Sequence, residues 1–201
     1  MIITLHPDTP QVRHLERIAE LLRKDGVIAY PTDTLFGLGC LASRKKAVDR
    51  VLQIKPRDPK KPMSILCSDM EMFCRYTRHL DTPTFRILKQ MMPGPYTVLL
   101  PASREVPRYL QNKQQVVGLR IPDNAFCRAL VALLGEPIIT TSVALPEQPV
   151  LNTAWEIEEE QGHALDLVVD CGQPEGTPST IVDLTGDEPV LVRQGAGVWP
   201  L

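Results

Sequence analysis

The residues best suited to chemistry in this chain are cations held close together. Between Lys55 and Pro62 the sequence reads K-P-R-D-P-K-K-P, which puts Lys55, Arg57 and Lys61 on one short segment. Prolines at 56, 59 and 62 each lack an N–H and restrict the residue before them, so an extended, stiff loop is expected and a helix is excluded. Arg57 offers planar two-point contacts to phosphate oxygens, while the lysines act as point charges. Stiffness also reduces the entropy lost when a loop is fixed around a ligand. The segment suits a polyanion: a nucleotide triphosphate, an RNA backbone, or both. A proline-rich connection carrying solvated charges has the same composition.

Three further constellations accompany it. P-T-D-T-L-F-G-L-G, Pro31 to Gly39, directly follows an apolar run, where ligand loops of α/β sheets commonly lie; Thr32 and Thr34 supply hydroxyls, and Gly37 and Gly39 permit close backbone approach. Arg120 in G-L-R-I-P interrupts an otherwise buried run, so its charge must meet a carboxylate or a ligand. T-T-S at Thr140 to Ser142 and P-S-T at Pro178 to Thr180 add clustered hydroxyls, Ser179 among them. Neither G-x-x-x-x-G-K-[ST] nor G-x-G-x-x-G occurs, so side chains must supply much of any phosphate-binding charge. The four histidines are scattered, and no C-x-x-C pair occurs. A metal site built from protein side chains alone is therefore not expected.

An alternating series of elements must position these groups. Strands are expected at 2–6, 27–30, 63–67, 96–100, 116–121, 138–142, 167–170, 180–184 and 190–193. Helices are expected after Thr9, Ser43, Asp69, Asp81, Asp123 and Asn152, each acting as an N-cap, with Gly26 and Gly135 as stops. Residues 31–39 read as a loop. The late pair of strands around Gly186 implies antiparallel additions, hence one α/β domain over residues 1–201 with a mixed, twisted sheet and flanking helices.

Composition agrees with an ordinary globular chain, and 201 residues suffice to bury a sizeable core. Five cysteines, odd in number and mostly in apolar stretches, read as buried thiols of a reducing compartment. No basic start leads into a long apolar run, and no uncharged stretch approaches the roughly 18 residues of a membrane span; a cytoplasmic protein is expected. Charge is uneven: net +6 from Arg44 to Pro62 and net −11 from Glu147 to Glu188. One anion-attracting, basic face and one acidic flank are expected, although two solvated surfaces would look the same.

Taken in order, GVIAYPTDTLFGLG, the K-x-R of Lys55 and Arg57, PGPYTVLL, VGLRIP, the serine closing residues 138–142, STIVDL and VRQG closely resemble the YrdC family, the threonylcarbamoyl-adenylate synthases of tRNA modification. The opening HPD and GEPIITTSVALP look most like its YciO branch. The resemblance implies a concave basic surface that binds double-stranded RNA or tRNA. It also implies synthesis of threonylcarbamoyl-AMP from L-threonine, bicarbonate and ATP, with ATP as a substrate alongside Mg2+ and no prosthetic group. By the same resemblance Lys55, Arg57 and Ser142 are the catalytic candidates at the nucleotide, and Lys61 stands at the next polar position. Thr34 and Arg120 match threonine-contacting positions; Ser179 and Arg193 match later substrate and nucleotide positions; Thr32 and Thr140 supply neighbouring hydroxyls. Two residues depart from the family pattern. Ala144 stands where the synthases carry the asparagine of Ser-x-Asn, and Phe36 replaces a tyrosine. Two functions therefore follow: a synthase or close relative, and an RNA-binding module whose catalysis went with the asparagine.

Overall fold

Apolar spacing and glycine placement together set the architecture of the computed structural model, which describes residues 1–56, 62–144 and 150–199. Ten strands form one sheet: β1 (Ile2–Thr4), β2 (Ile28–Pro31), β3 (Phe36–Gly39), β4 (Ser64–Leu66), β5 (Tyr96–Pro101), β6 (Val116–Arg120), β7 (Ile138–Ser142), β8 (Leu167–Asp170), β9 (Thr180–Asp183) and β10 (Val190–Arg193). Their spatial order is β1-β8-β2-β3-β7-β4-β6-β5-β9-β10. Parallel pairs (β1–β8, β2–β8, β4–β6, β5–β9) occur together with antiparallel ones, so the sheet is mixed, as expected.

Six α-helices are present among the described residues: α1 (Val12–Arg23), α2 (Lys45–Ile54), α3 (Met70–Tyr76), α4 (Thr82–Met91), α5 (Ala125–Leu134) and α6 (Ala154–Gln161). In α1 the three- and four-residue spacing of Leu15, Ile18, Ala19 and Leu22 buries one stripe in the hydrophobic core, and each leucine so removed from water contributes about 1.5–3 kcal/mol. Asp69 and Asp81 cap α3 and α4 as expected, accepting from Met72 N and Thr84 N at 2.8 Å each. Other caps fall elsewhere. Gln11 and Arg44 precede α1 and α2 with no side-chain cap. Asn124, not Asp123, caps α5, and Thr153, not Asn152, caps α6 through a reciprocal bond pattern with Glu156. Gly135 closes α5 at φ 73°, a conformation that favours glycine.

The expected 31–39 loop is half strand. Phe36–Gly39 runs antiparallel to β2 on one side and β7 on the other. Its glycines hide the strand pattern, and their reason is packing: a Cβ at Gly37 would lie 3.0 Å from Cζ of the buried Tyr30, and one at Gly39 would strike the Ile139 carbonyl. Cys40, Cys67, Cys127 and Cys171 are buried, while Cys74 is exposed on α3, contrary to the reading of the cysteines as buried thiols. Burial pushes the Cys40 and Cys171 thiols up to about 12, far from thiolate chemistry at neutral pH. Among the described residues no helix is long and apolar enough to cross a membrane.

Candidate functional site

Strand ends converge on one concavity of about 250 Å³. The β2–β3 turn forms one wall with Thr32 and Thr34. The end of β7, Thr140 to Ser142, and the start of β4 form the floor. The end of β6 contributes Arg120, and the opposite wall carries Ser179 and Arg193. Eight of the lining side chains carry hydroxyls, a surface built for anions and polar groups.

Within the turn, Thr32 Oγ1 accepts from Thr34 N at 3.1 Å and Leu35 N at 3.2 Å, and donates to the Leu35 carbonyl at 2.7 Å. Its only proton is thereby committed, so in the 3.0 Å contact between the two hydroxyls Thr34 is the donor. Thr34 Oγ1 in turn accepts from Arg120 Nη2 at 3.0 Å. Thr32 therefore shapes the turn, while Thr34 keeps acceptor capacity toward the cavity.

Arg120 meets the carboxylate its buried position demanded. Its Nη2 lies 2.8 Å from Asp33 Oδ1, with the two side chains only 8% and 10% exposed. Asp33 Oδ2 accepts from Asp123 N at 3.1 Å, which fixes the carboxylate from its other side. Arg120 Nε is buried with no partner among the described residues. Asp33 was overlooked in the sequence because only the threonines of P-T-D-T were weighed. The signal was nonetheless present, since a buried arginine needs an anion and one sits beside Thr34.

On the opposite wall Arg193 donates through Nε and Nη2 to the Ser179 carbonyl at 3.1 and 2.7 Å, and through Nη2 to Ser179 Oγ at 3.2 Å. Ser179 Oγ also lies 2.9 Å from Thr97 Oγ1, a buried lining hydroxyl of β5 that sequence reasoning missed. No carboxylate pairs with Arg193 among the described residues. Arg193 as a residue is exposed, yet partial desolvation of its guanidinium first, and the positive charge of Arg120 second, lower it below the usual arginine range.

Lys55, at the end of α2, stands behind the lining and does not form it. Its Nζ donates to the Ser142 carbonyl at 2.6 Å, to Ser142 Oγ at 2.7 Å and to the Ala144 carbonyl. Burial lowers this ammonium to about 8. Ser142 thus faces the cavity on one side and Lys55 on the other. Arg57 and Lys61 lie outside the described residues, so the convergence of the basic loop is carried here by Lys55 alone. Among the described residues no three His, Cys, Asp or Glu side chains gather as a metal cage.

The Sua5_yciO_yrdC family model, described as telomere recombination, matches residues 20–195. The Escherichia coli K12 protein YciO is 37% identical, over 96% of this chain and 94% of its own length. Its crystal structure superposes with a TM-score of 0.94, covering 98% of this chain and 97% of that one. A threonylcarbamoyl-AMP synthase of Nitrosococcus oceani is 33% identical, over 75% of this chain and 82% of its own length. Sua5 of Pyrococcus abyssi, solved in complex with L-threonine, gives a TM-score of 0.89 at 28% identity, covering 97% of this chain and 57% of that one.

Proposed function

The chain belongs to the Sua5/YciO/YrdC family, and from that premise we propose that it binds ATP and L-threonine in this cavity and forms threonylcarbamoyl-AMP, a step of tRNA modification. One observation carries the reading. Two arginines face one small cavity, and among the described residues only Arg120 has a carboxylate partner. Such an arrangement leaves net positive charge aimed into a confined space, which is what a carboxylate and a polyphosphate require together.

Each side chain then has a task. Arg120 holds the amino acid's carboxylate through donors left over from Asp33, and Thr34 Oγ1, whose own proton goes to Thr32, accepts from the amino acid's amine. Arg193, Ser179 and Ser142 hold the nucleotide's phosphates, with Lys55 supplying charge from behind Ser142 and Arg57 and Lys61 completing the cationic set. The threonine amine combines with bicarbonate to give a carbamate and water. A carbamate oxygen attacks the α-phosphorus, the bond to the β-phosphate bridge breaks, and pyrophosphate leaves. No protein nucleophile is needed, because holding the reactants in line supplies the advantage. Mg2+ would arrive on the triphosphate, where it offsets charge developing at phosphorus.

The test is pyrophosphate release from ATP, dependent on both L-threonine and bicarbonate, measured from pH 6.5 to 9.5. Lys55 is charged below about pH 8 and neutral above it. Its contribution to nucleotide affinity is therefore full at the acidic end and fades as pH rises through that value. Lys55→Met is expected to bind ATP about tenfold more weakly at pH 7, because it removes a positive charge from behind Ser142 and releases the Ser142 and Ala144 oxygens that Nζ holds, with that inflection gone.

A second reading rests on Ala144, which lacks the amide that the synthases carry. In it the basic concavity holds structured RNA without catalysis. No pyrophosphate would then appear, and RNA affinity would fall steeply with salt as phosphate counterions are displaced.

A further inference from the structure

The Arg120–Asp33 pair and the isolated Arg193 divide one cavity into two electrostatically different halves. Seen from the cavity, the pair is a dipole. The guanidinium is largely offset by a carboxylate 2.8 Å away, while its buried Nε has no partner among the described residues. Arg193, across the cavity, has no such offset among the described residues and touches only the Ser179 carbonyl and hydroxyl. Asp33 is not itself part of the lining, and its second oxygen is held by Asp123 N, so it acts on a ligand through Arg120.

We propose that Asp33 is a positioning and specificity-determining residue that makes the Arg120 half selective for a zwitterion, an α-amino acid with its carboxylate and ammonium, and leaves polyphosphate to the Arg193 half. The inference rests on the proposed function and names how that site sorts its two anionic substrates. The physical reason is charge matching. An arginine without a carboxylate partner attracts a phosphate dianion more strongly than a neutral zwitterion. Adding a fixed carboxylate behind the guanidinium removes most of that net attraction but keeps its directed N–H groups, so a ligand whose own ammonium offsets its carboxylate loses less than a phosphate dianion does. Fixing the guanidinium also removes rotamer freedom that a ligand would otherwise have to quench. Without such a bias, free polyphosphate would compete for both halves and block the amino acid.

The experiment is calorimetric titration of the full chain and of Asp33→Asn, with L-threonine and, separately, with inorganic pyrophosphate. Circular dichroism checks that the variant is folded. L-Threonine affinity is expected to fall at least tenfold in Asp33→Asn, while pyrophosphate affinity holds or rises. Asp33→Glu, which keeps the charge, is expected to recover part of the threonine binding. An equal loss for both ligands, or unchanged threonine affinity, overturns the inference while leaving the functional reading in place. Failure of the unmodified chain to bind either ligand overturns both. Should Asp33→Asn not fold, the unmodified chain still decides: it must bind L-threonine at least tenfold more tightly than 3-hydroxybutanoate, the same molecule without its ammonium, and equal affinities refute the selection.

Discussion

Replacing Arg120 with Ala is expected to lower the free energy of unfolding by about 3–5 kcal/mol and to abolish L-threonine binding, which places it among the most damaging single changes available in this chain. The size follows from what is left behind. Asp33 is 10% exposed, and Asp123 N still holds its Oδ2, so the carboxylate cannot swing into water when its partner disappears. An unpaired buried charge is costlier than a missing contact, because its hydration has been surrendered with nothing in return. Thr34 also loses a donor to its hydroxyl, which loosens the turn that forms one wall. The double change Arg120→Gln with Asp33→Asn is expected to recover a good part of the stability, since two amides can pair without net charge, and to recover none of the threonine binding. Urea denaturation of the three proteins measures both effects. A loss below about 1 kcal/mol for Arg120→Ala would mean the pair is solvated and the cavity is not the dry site described.

The second large effect runs in the opposite direction. Ala144→Asn is expected to raise the rate of pyrophosphate release by roughly tenfold to a hundredfold, the value of about 1.5–3 kcal/mol for a restored polar contact to a charged group. Ala144 follows the strand that brings Ser142 to the cavity floor, and its carbonyl already helps to hold Lys55. An amide added there lies beside the serine and lysine assigned to the nucleotide. Steady-state assays with saturating ATP, L-threonine and bicarbonate would read the gain. An unchanged rate would mean that the family's asparagine has no counterpart role in this scaffold.

Much of this was legible in the residues, and the exceptions have physical causes. Nine strands are visible as apolar or β-branched runs. The tenth, Phe36–Gly39, is half glycine, so neither propensity nor alternation marks it, and the close approach of the buried Tyr30 and the Ile139 carbonyl explains its composition. The caps at Asp69 and Asp81 follow from their own carboxylates. Those at Asn124 and Thr153 each stand next to another good capping residue, Asp123 and Asn152, and only backbone geometry separates the two. At the site, the demand that Arg120 meet an anion was readable, and its answer was Asp33. The rearward position of Lys55 was not readable: its spacing from Arg57 indicates a shared loop, but not that three oxygens of residues 142 and 144 would take all three ammonium protons.

Whether one cavity takes both substrates is decided most directly by calorimetric titration of L-threonine in the presence and absence of saturating ATP. If the amino acid and the nucleotide sit side by side above Arg120 and Arg193, each must tighten the other, and threonine affinity rises when ATP is present. Independent binding would contradict the shared site, and mutual exclusion would contradict the simultaneous occupancy that the reaction requires.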